Sequence, residues 1–384
     1  MALAGEVLVE FASNDYLGLA RDARVQEASA RAAMEFGAGS GSARLVCGST
    51  KLHAELESCL AGFKGTERAL TFSSGFATAM GVIPALAGPG DFVVLDRLAH
   101  ACLVDAARLS RARLRVFRHN DLEDLERILA WTRGCRASVG GVPSDGANSE
   151  EADSSGSGRV IIVTESVFSM DGDRAPLVEM VALKERHEAW LLVDEAHATG
   201  IAGAGGRGVV AELGLGDRVE VPMGTLGKAL GSAGGFIGGS ALLVDYLIQK
   251  ARSFVFSTAP PPAVAAASIA ALAIVASEEG DGLRSRLRAN IEWLHRGLRE
   301  AGWSLPAPVS PILPVQVGME ADALQLSAVL REAGYWVPAI RYPTVPRGRA
   351  RLRITVSAAH SMEELAGLLG ALERASAKLG IRPR

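Results

Sequence analysis

The chain has 384 residues, 48% of them hydrophobic and 22% charged, enough to bury a large core and to build two domains around one site. A formal charge of −3 offers no net field for nucleic acid or an anionic membrane and favours a small-molecule substrate. Cys47, Cys59, Cys102 and Cys135 show no C-x-x-C spacing and no grouping with histidine, so neither zinc nor a disulfide framework is expected, and a reducing cytoplasm fits.

The N-terminus, Met-Ala-Leu-Ala-Gly-Glu-Val-Leu-Val-Glu, lacks the basic-then-apolar order of a signal peptide. Beyond it, short apolar runs alternate with helix-length segments, the pattern of an α/β fold whose mostly parallel sheet is covered by helices on both faces. Strands are expected at residues 69–72, 92–95, 160–164, 190–193 and 236–238. The first four are followed by Ser73-Ser74-Gly75-Phe76, by Asp96 to His100, by Glu165 to Ser169 and by Asp194 to His197. Ligands in open α/β sheets sit beyond the carboxyl ends of the strands, so these polar groups mark one site at one edge.

Ser74, Gly75 and Phe76 open an expected helix through Leu86, whose first N–H groups suit a phosphate, although Ser-Ser-Gly is also a common turn. Arg108, Arg111, Arg113, Arg115 and Arg118 form a basic run, read as a solvated helix-to-strand face or as contact with an anionic coenzyme tail. Residues 134–158 carry too few apolar side chains to offset the entropy of ordering and are expected to be a disordered insertion. Gly200 to Gly208 resembles a dinucleotide loop but opens no helix directly, and is expected to be mobile. The Ala-rich stretch from Pro260 to Ala276 is too short and weakly apolar to span a bilayer. It leads to a smaller α+β domain with strands at 312–317, 335–338 and 351–356. The expected division is a short N-terminal segment at 1–20, a large domain at 21–262 and a small domain at 263–384.

Lys228 follows Gly227 and precedes Ala229-Leu230-Gly231, so a flat ring can approach the backbone and a desolvated amine can act as a nucleophile. Taken alone it reads first as a surface lysine on a Gly-rich turn. Asp194 and His197 can grip a pyridine ring at its nitrogen and its phenolic oxygen, or simply bond each other. His100 can stack on the ring or be a core histidine, and Thr225 can bind phosphate three residues before the lysine. Arg351 and Arg353 share one strand face and can offer a fork to a carboxylate, unless that face is solvated. Asp194-Glu195-Ala196-His197 also spells the DEAH box of nucleic-acid-dependent ATPases. A matching phosphate loop, however, needs glycine at Pro222 and Ser or Thr at Ala229, and the motif order is reversed.

Together these residues resemble the α-oxoamine synthases, fold-type-I enzymes that use pyridoxal 5'-phosphate. The likeness runs from Phe11-Ala-Ser-Asn-Asp-Tyr-Leu-Gly-Leu19 to the end, outside the insertion. It rests on Ser74-Gly75-Phe76, His100, the stretch from Thr164 to Asp173, Asp194 to Gly200, Thr225 to Lys228, Arg341-Tyr-Pro-Thr344 and Arg351-Leu-Arg353. The resemblance implies that Lys228 carries the cofactor as a Schiff base and that Asp194 pairs with its ring nitrogen. It further implies that His197 and Ser169 contact ring substituents, that His100 stacks on the ring, and that Gly75, Phe76 and Thr225 hold the phosphate or ring.

Ser257 and Thr258 would reach the neighbouring subunit's phosphate in a homodimer with its sites at the interface. Arg353 would bind the amino-acid carboxylate, with Asn14 and Thr344 near the substrate. The implied activity is decarboxylative condensation of L-alanine with a pimeloyl thioester, with Lys228 as the base. The alternatives are the same chemistry on glycine with another acyl-CoA, or a non-catalytic pyridoxal-phosphate-binding module. The chain departs from the family at Ala79, where asparagine is common, and at Ser42-Ala43-Arg44, and only ten residues precede Phe11.

Overall fold

In the computed structural model, residues 2–3, 6–139 and 158–382 are described. A seven-stranded sheet forms the larger part, in the spatial order Arg68–Phe72, Gly235–Gly239, Val221–Thr225, Trp190–Asp194, Val160–Glu165, Phe92–Asp96, Arg113–Phe117. Gly235–Gly239 runs antiparallel to its neighbours and the remaining pairs are parallel. Because strand side chains alternate, Val93, Leu95, Ile161, Val163 and Leu192 enter the core on one face, and Phe92, Val94, Ile162, Leu191 and Val193 enter it on the other. A sheet buried on both faces reads as near-continuous apolar runs, which is why most of its strands stand out in the sequence.

Two strands of this sheet lie outside the sequence expectation. Arg113–Phe117 is the sheet edge, and its arginines face outward, with Arg115 lying over the Trp131 ring at 4.2 Å. Arg108 and Arg118 are exposed and pair with Asp105 and Asp121, so the basic run is a solvated face. Val221–Thr225 is hidden by Pro222 and Gly224, residues that weaken strands. Pro222 is tolerated because the ladder to Gly235–Gly239 begins only at Met223, leaving a partner on one side alone.

Two further differences concern loops. Helix Leu122–Val139 runs into the expected insertion, whose residues 140–157 lie outside the described residues. The stretch 200–208, expected to be mobile, is a compact turn. Gly200 N–H donates to the Gly206 carbonyl at 2.7 Å, and Lys64 Nζ reaches the Arg207 carbonyl at 2.5 Å. Lys64 also meets Glu195 at 2.5 Å, and both side chains are buried.

The second sheet has three strands, Ile312–Gly318, Ala350–Thr355 and Ala339–Ile340, all antiparallel. The expected strand at 335–338 is a two-residue strand, Tyr335–Trp336, paired instead with Val9–Glu10 from the N-terminal segment. Helix Pro262–Val275 is apolar and largely buried against helix Ala23–Phe36. Among the described residues no single helix is long and apolar enough to cross a membrane.

Two glycines allow the close approaches that place the site. Gly231 has φ +59°, and a Cβ there would lie 2.2 Å from Ala20 N, so the turn bearing Lys228 rests directly on the N-terminal segment. A Cβ at Gly235 would lie 2.7 Å from Gly75 Cα, beneath the start of helix Gly75–Leu86. The loop after Val160–Glu165 is held by His119, which bridges Asp96 at 2.9 Å and Asp173 at 2.8 Å while its ring meets Phe168 edge-on. Burial pulls the His119 imidazole down, but the two carboxylates outweigh it and push it up to about 10.

Gly235→Ala is expected to lower stability by about 1–3 kcal/mol, read from denaturant unfolding, because the obstacle is backbone and cannot rotate away. His119 has its higher pKa in the folded state, so its contribution is complete below about pH 6.5, its ordinary value, and is lost as pH rises through about 10. His119→Gln should therefore lower the melting temperature most near pH 6 and least above pH 10, measured across a pH series.

Candidate active site

The carboxyl ends of the parallel strands and the start of Gly235–Gly239 meet at one sheet edge. Glu165 and Asp194 end adjacent strands in direct register, and both are buried. Burial raises the Asp194 carboxyl, an effect opposed by the Lys228 amine and by the Ala196 N–H, which donates to Oδ1 at 2.9 Å. Glu165 is raised well above the usual carboxylate range by burial and then by Asp194 beside it. Its Oε1 accepts the backbone N–H of His100 at 2.6 Å, which ties the start of helix Ala101–Leu109 to this edge.

His197 and Lys228 meet directly, Nε2 to Nζ at 2.8 Å. Lys228 belongs to a tight turn closed by the Gly231 N–H on its carbonyl at 2.9 Å. Burial lowers its amine, an effect opposed by Asp194 and Glu165, and so favours the neutral nucleophile. His197 is held well below the ordinary imidazole range by burial, with the Lys228, Arg353 and His100 charges acting the same way. His100 is an exposed helix cap rather than a core histidine, and partial desolvation with the Lys228 charge lowers its imidazole below the ordinary range, against the pull of Asp194.

Thr225 ends its strand with Oγ1 bonded to the Gly234 carbonyl at 2.8 Å, and a Cβ on Gly75 would lie 3.8 Å from it. The start of helix Gly75–Leu86 thus adjoins Thr225. The Ser74 side chain caps Ala77 N–H at 3.0 Å, while the N–H groups of Gly75 and Phe76 are among those a helix cannot pair internally. A buried carboxyl, an imidazole, an amine and a helix start, gathered at one sheet edge, fit pyridoxal 5'-phosphate: the helix start suits an anion, the acid a ring nitrogen and the amine an aldehyde.

Arg353 comes from the small sheet and is 6% exposed, so its strand face is not solvated. It donates from Nε to the Ser169 carbonyl at 2.6 Å, from Nη1 to Thr355 Oγ1 at 3.0 Å and from Nη2 to Asn14 Oδ1 at 3.2 Å. Arg351 is occupied elsewhere, paired with Asp171. The structure therefore gathers Lys228, Asp194, His197, His100, Ser169, Asn14 and Arg353 around one edge, with Thr225, Gly75 and Phe76 beside it. Thr344 is exposed, and Thr258 is bridged to Ala43; among the described residues no hydrogen bond joins Thr344, Ser257 or Thr258 to the Lys228 cluster. Two participants escaped the sequence reading. Tyr16, within the Asn-Asp-Tyr stretch, touches His197 Nδ1 at 2.5 Å, and Glu165 stands beside Asp194.

The sequence profile described as aminotransferase class I and II matches residues 6–372. The chain is 48% identical over 370 residues to 8-amino-7-oxononanoate synthase of Anaeromyxobacter dehalogenans, covering 96% of this chain and 87% of that one. It is 46% identical over 379 residues to the protein of the same name from Geotalea daltonii, covering 99% and 91%. Among solved structures, a serine palmitoyltransferase from S. paucimobilis with a bound PLP–myriocin aldimine superposes with a TM-score of 0.89 at 30% identity, covering 99% of this chain and 90% of that one. An 8-amino-7-oxononanoate synthase from Francisella tularensis superposes at 0.77 with 26% identity, covering 97% and 99%. The serine palmitoyltransferase is ahead of that structure in both backbone score and identity, because the scaffold is common to both; it is the 46–48% identity to the two synthases above that separates the branches. The chain belongs to the class I and II aminotransferase family, in its 8-amino-7-oxononanoate synthase branch, and is a pyridoxal-phosphate-dependent acyltransferase.

Proposed function

We propose that Lys228, Asp194, His197, His100 and Arg353 carry out the condensation of L-alanine with a pimeloyl thioester to 8-amino-7-oxononanoate, with release of the thiol and CO2. The observation that carries the assignment of roles is the contact of Lys228 Nζ with His197 Nε2 at 2.8 Å, beside the buried Asp194 carboxyl. When bound, pyridoxal phosphate supplies an electron sink whose ring must stay protonated at nitrogen. Asp194 keeps it so by holding a negative charge where water cannot screen it.

Arg353 receives the amino-acid carboxylate. Three of its five N–H groups are used internally by Ser169, Thr355 and Asn14, and the remaining two can make a forked pair of hydrogen bonds. That grip fixes Cα beside the Lys228 amine, which takes the Cα proton as general base. A bond then forms from Cα to the acyl carbonyl carbon as the C–S bond breaks and the thiolate leaves. The bond from Cα to the carboxylate breaks next, CO2 departs, and Lys228 returns a proton to Cα. His100, neutral, presents a flat ring rather than a charge to the face it covers. Thr225 with the helix start at Gly75 and Phe76 holds the phosphate, and Ser169 the ring edge.

The dimeric part of this reading puts Ser257 and Thr258 at a neighbouring subunit's phosphate. Exposed apolar side chains on the same side support it, Val46 at 78% and Phe256 at 70%, because such groups seek a covering surface. Four free cysteines are consistent with a reducing, cytoplasmic setting.

Loaded with cofactor and given L-alanine, glycine or L-serine with pimeloyl-, acetyl- or palmitoyl-CoA, the protein is expected to release thiol fastest with L-alanine and pimeloyl-CoA. Turnover confined to glycine or L-serine would move it to another branch. Lys228→Ala is expected to reduce turnover by roughly 10²–10⁴-fold or more, the share of a positioned base and nucleophile. Borohydride treatment followed by mass spectrometry should then find no cofactor fixed to the chain; cofactor fixed in that variant would mean another lysine carries it.

A further inference from the structure

Tyr16 is fully buried, and three polar groups surround its hydroxyl. His197 Nδ1 lies at 2.5 Å and Asn14 Oδ1 at 3.1 Å, and the guanidinium of Arg353 faces the phenol. A phenol has one proton to give. Two acceptors lie within its reach, Asn14 Oδ1 and His197 Nδ1. Asn14 Oδ1 already receives Nη2 of Arg353 at 3.2 Å, whereas His197 Nδ1 is 0.6 Å nearer to the phenol and has no other partner.

We propose that Tyr16 is a positioning residue that donates its proton to His197 Nδ1 and locks the imidazole in the tautomer carrying its hydrogen on Nε2. The edge that faces Lys228 is then a donor. In the cofactor-free protein that donor meets the lone pair of the Lys228 amine at 2.8 Å. With cofactor present it meets the phenolic oxygen, an acceptor that the opposite tautomer would confront with a lone pair. Burial keeps the phenol protonated and the imidazole neutral, so neither partner leaves this state by titration near neutral pH.

The assignment rests on Lys228 as the residue that holds the cofactor, and the test separates the two. Nitrogen-15 NMR of histidine-labelled, cofactor-free protein, with the His197 signals identified by their loss in His197→Gln, should show a neutral ring protonated at Nε2. Tyr16→Phe, which keeps the ring and removes the hydroxyl, should mix the two tautomers. It should also weaken pyridoxal phosphate binding about tenfold by fluorescence titration, the effect of one lost buried hydrogen bond. A wild-type His197 protonated at Nδ1 would overturn the proposal without any variant, even if Tyr16→Phe does not fold. So would a Tyr16→Phe protein that keeps the Nε2 tautomer and binds cofactor within about twofold of wild type. Failure of the wild-type protein to bind pyridoxal phosphate would instead sink the functional reading, leaving the tautomer measurement intact.

Discussion

Glu165 and Asp194 end neighbouring parallel strands in register, both out of water, and two carboxylates so placed cannot both hold charge without a cation between them. Lys228 is the amine the chain sets beside them: burial lowers it, Asp194 and Glu165 oppose that, and it in turn opposes the rise of both carboxyls. A protonated ring nitrogen placed beside Asp194 would supply a full positive charge there and keep that carboxyl ionised. Glu165, with no such partner, is held toward its neutral form and serves by gripping the His100 backbone. Next to this group Glu195 has its own cation, Lys64, in a separate buried pair that anchors the turn after Asp194. A lone charge in either place would be costly, which is why each carboxylate that stays charged has a dedicated partner.

Segment 11–19 transmits the geometry between the two sheets. Thr355 N–H donates to the Phe11 carbonyl and Ala358 N–H to the Tyr16 carbonyl, both at 2.8 Å, while Ser357 Oγ donates to the Asp15 carbonyl at 2.8 Å. The other side of the same segment bears on Gly231 and so on the lysine turn. Arg353 and Lys228 are thereby held at a set separation by a strap of bends and turns rather than by direct contact. A substrate held by both would react only at a fixed separation, which such a strap preserves.

The strands buried on both faces were legible because nothing but apolar side chains fits them, and the polar residues after them stood out by contrast. Arg113–Phe117 and Val221–Thr225 were not, the first because an edge strand keeps one face in water, the second because Pro222 and Gly224 argue against a strand unless its one-sided pairing is known. The compactness of 200–208 depends on Lys64 and Arg284, distant in the chain, reaching its carbonyls. Arg113 and Arg115 looked like possible coenzyme contacts only until Phe92 and Trp131 appeared beneath them.

The sequence by itself determined the family, the cofactor and the residue types at the site, because Schiff-base chemistry, an acid for the ring nitrogen and an anion-binding helix start admit few substitutes and lie in short local motifs. The tertiary structure alone decided which of two arginines on one strand joins the Ser169 and Asn14 side of the site, since Arg351 is paired with Asp171 and Arg353 is not. It also decided that Tyr16, outwardly a core aromatic, backs His197 across 181 positions of chain. Hydrogen bonds of that kind depend on where separate elements end in space, and a pattern read along one segment carries no record of it.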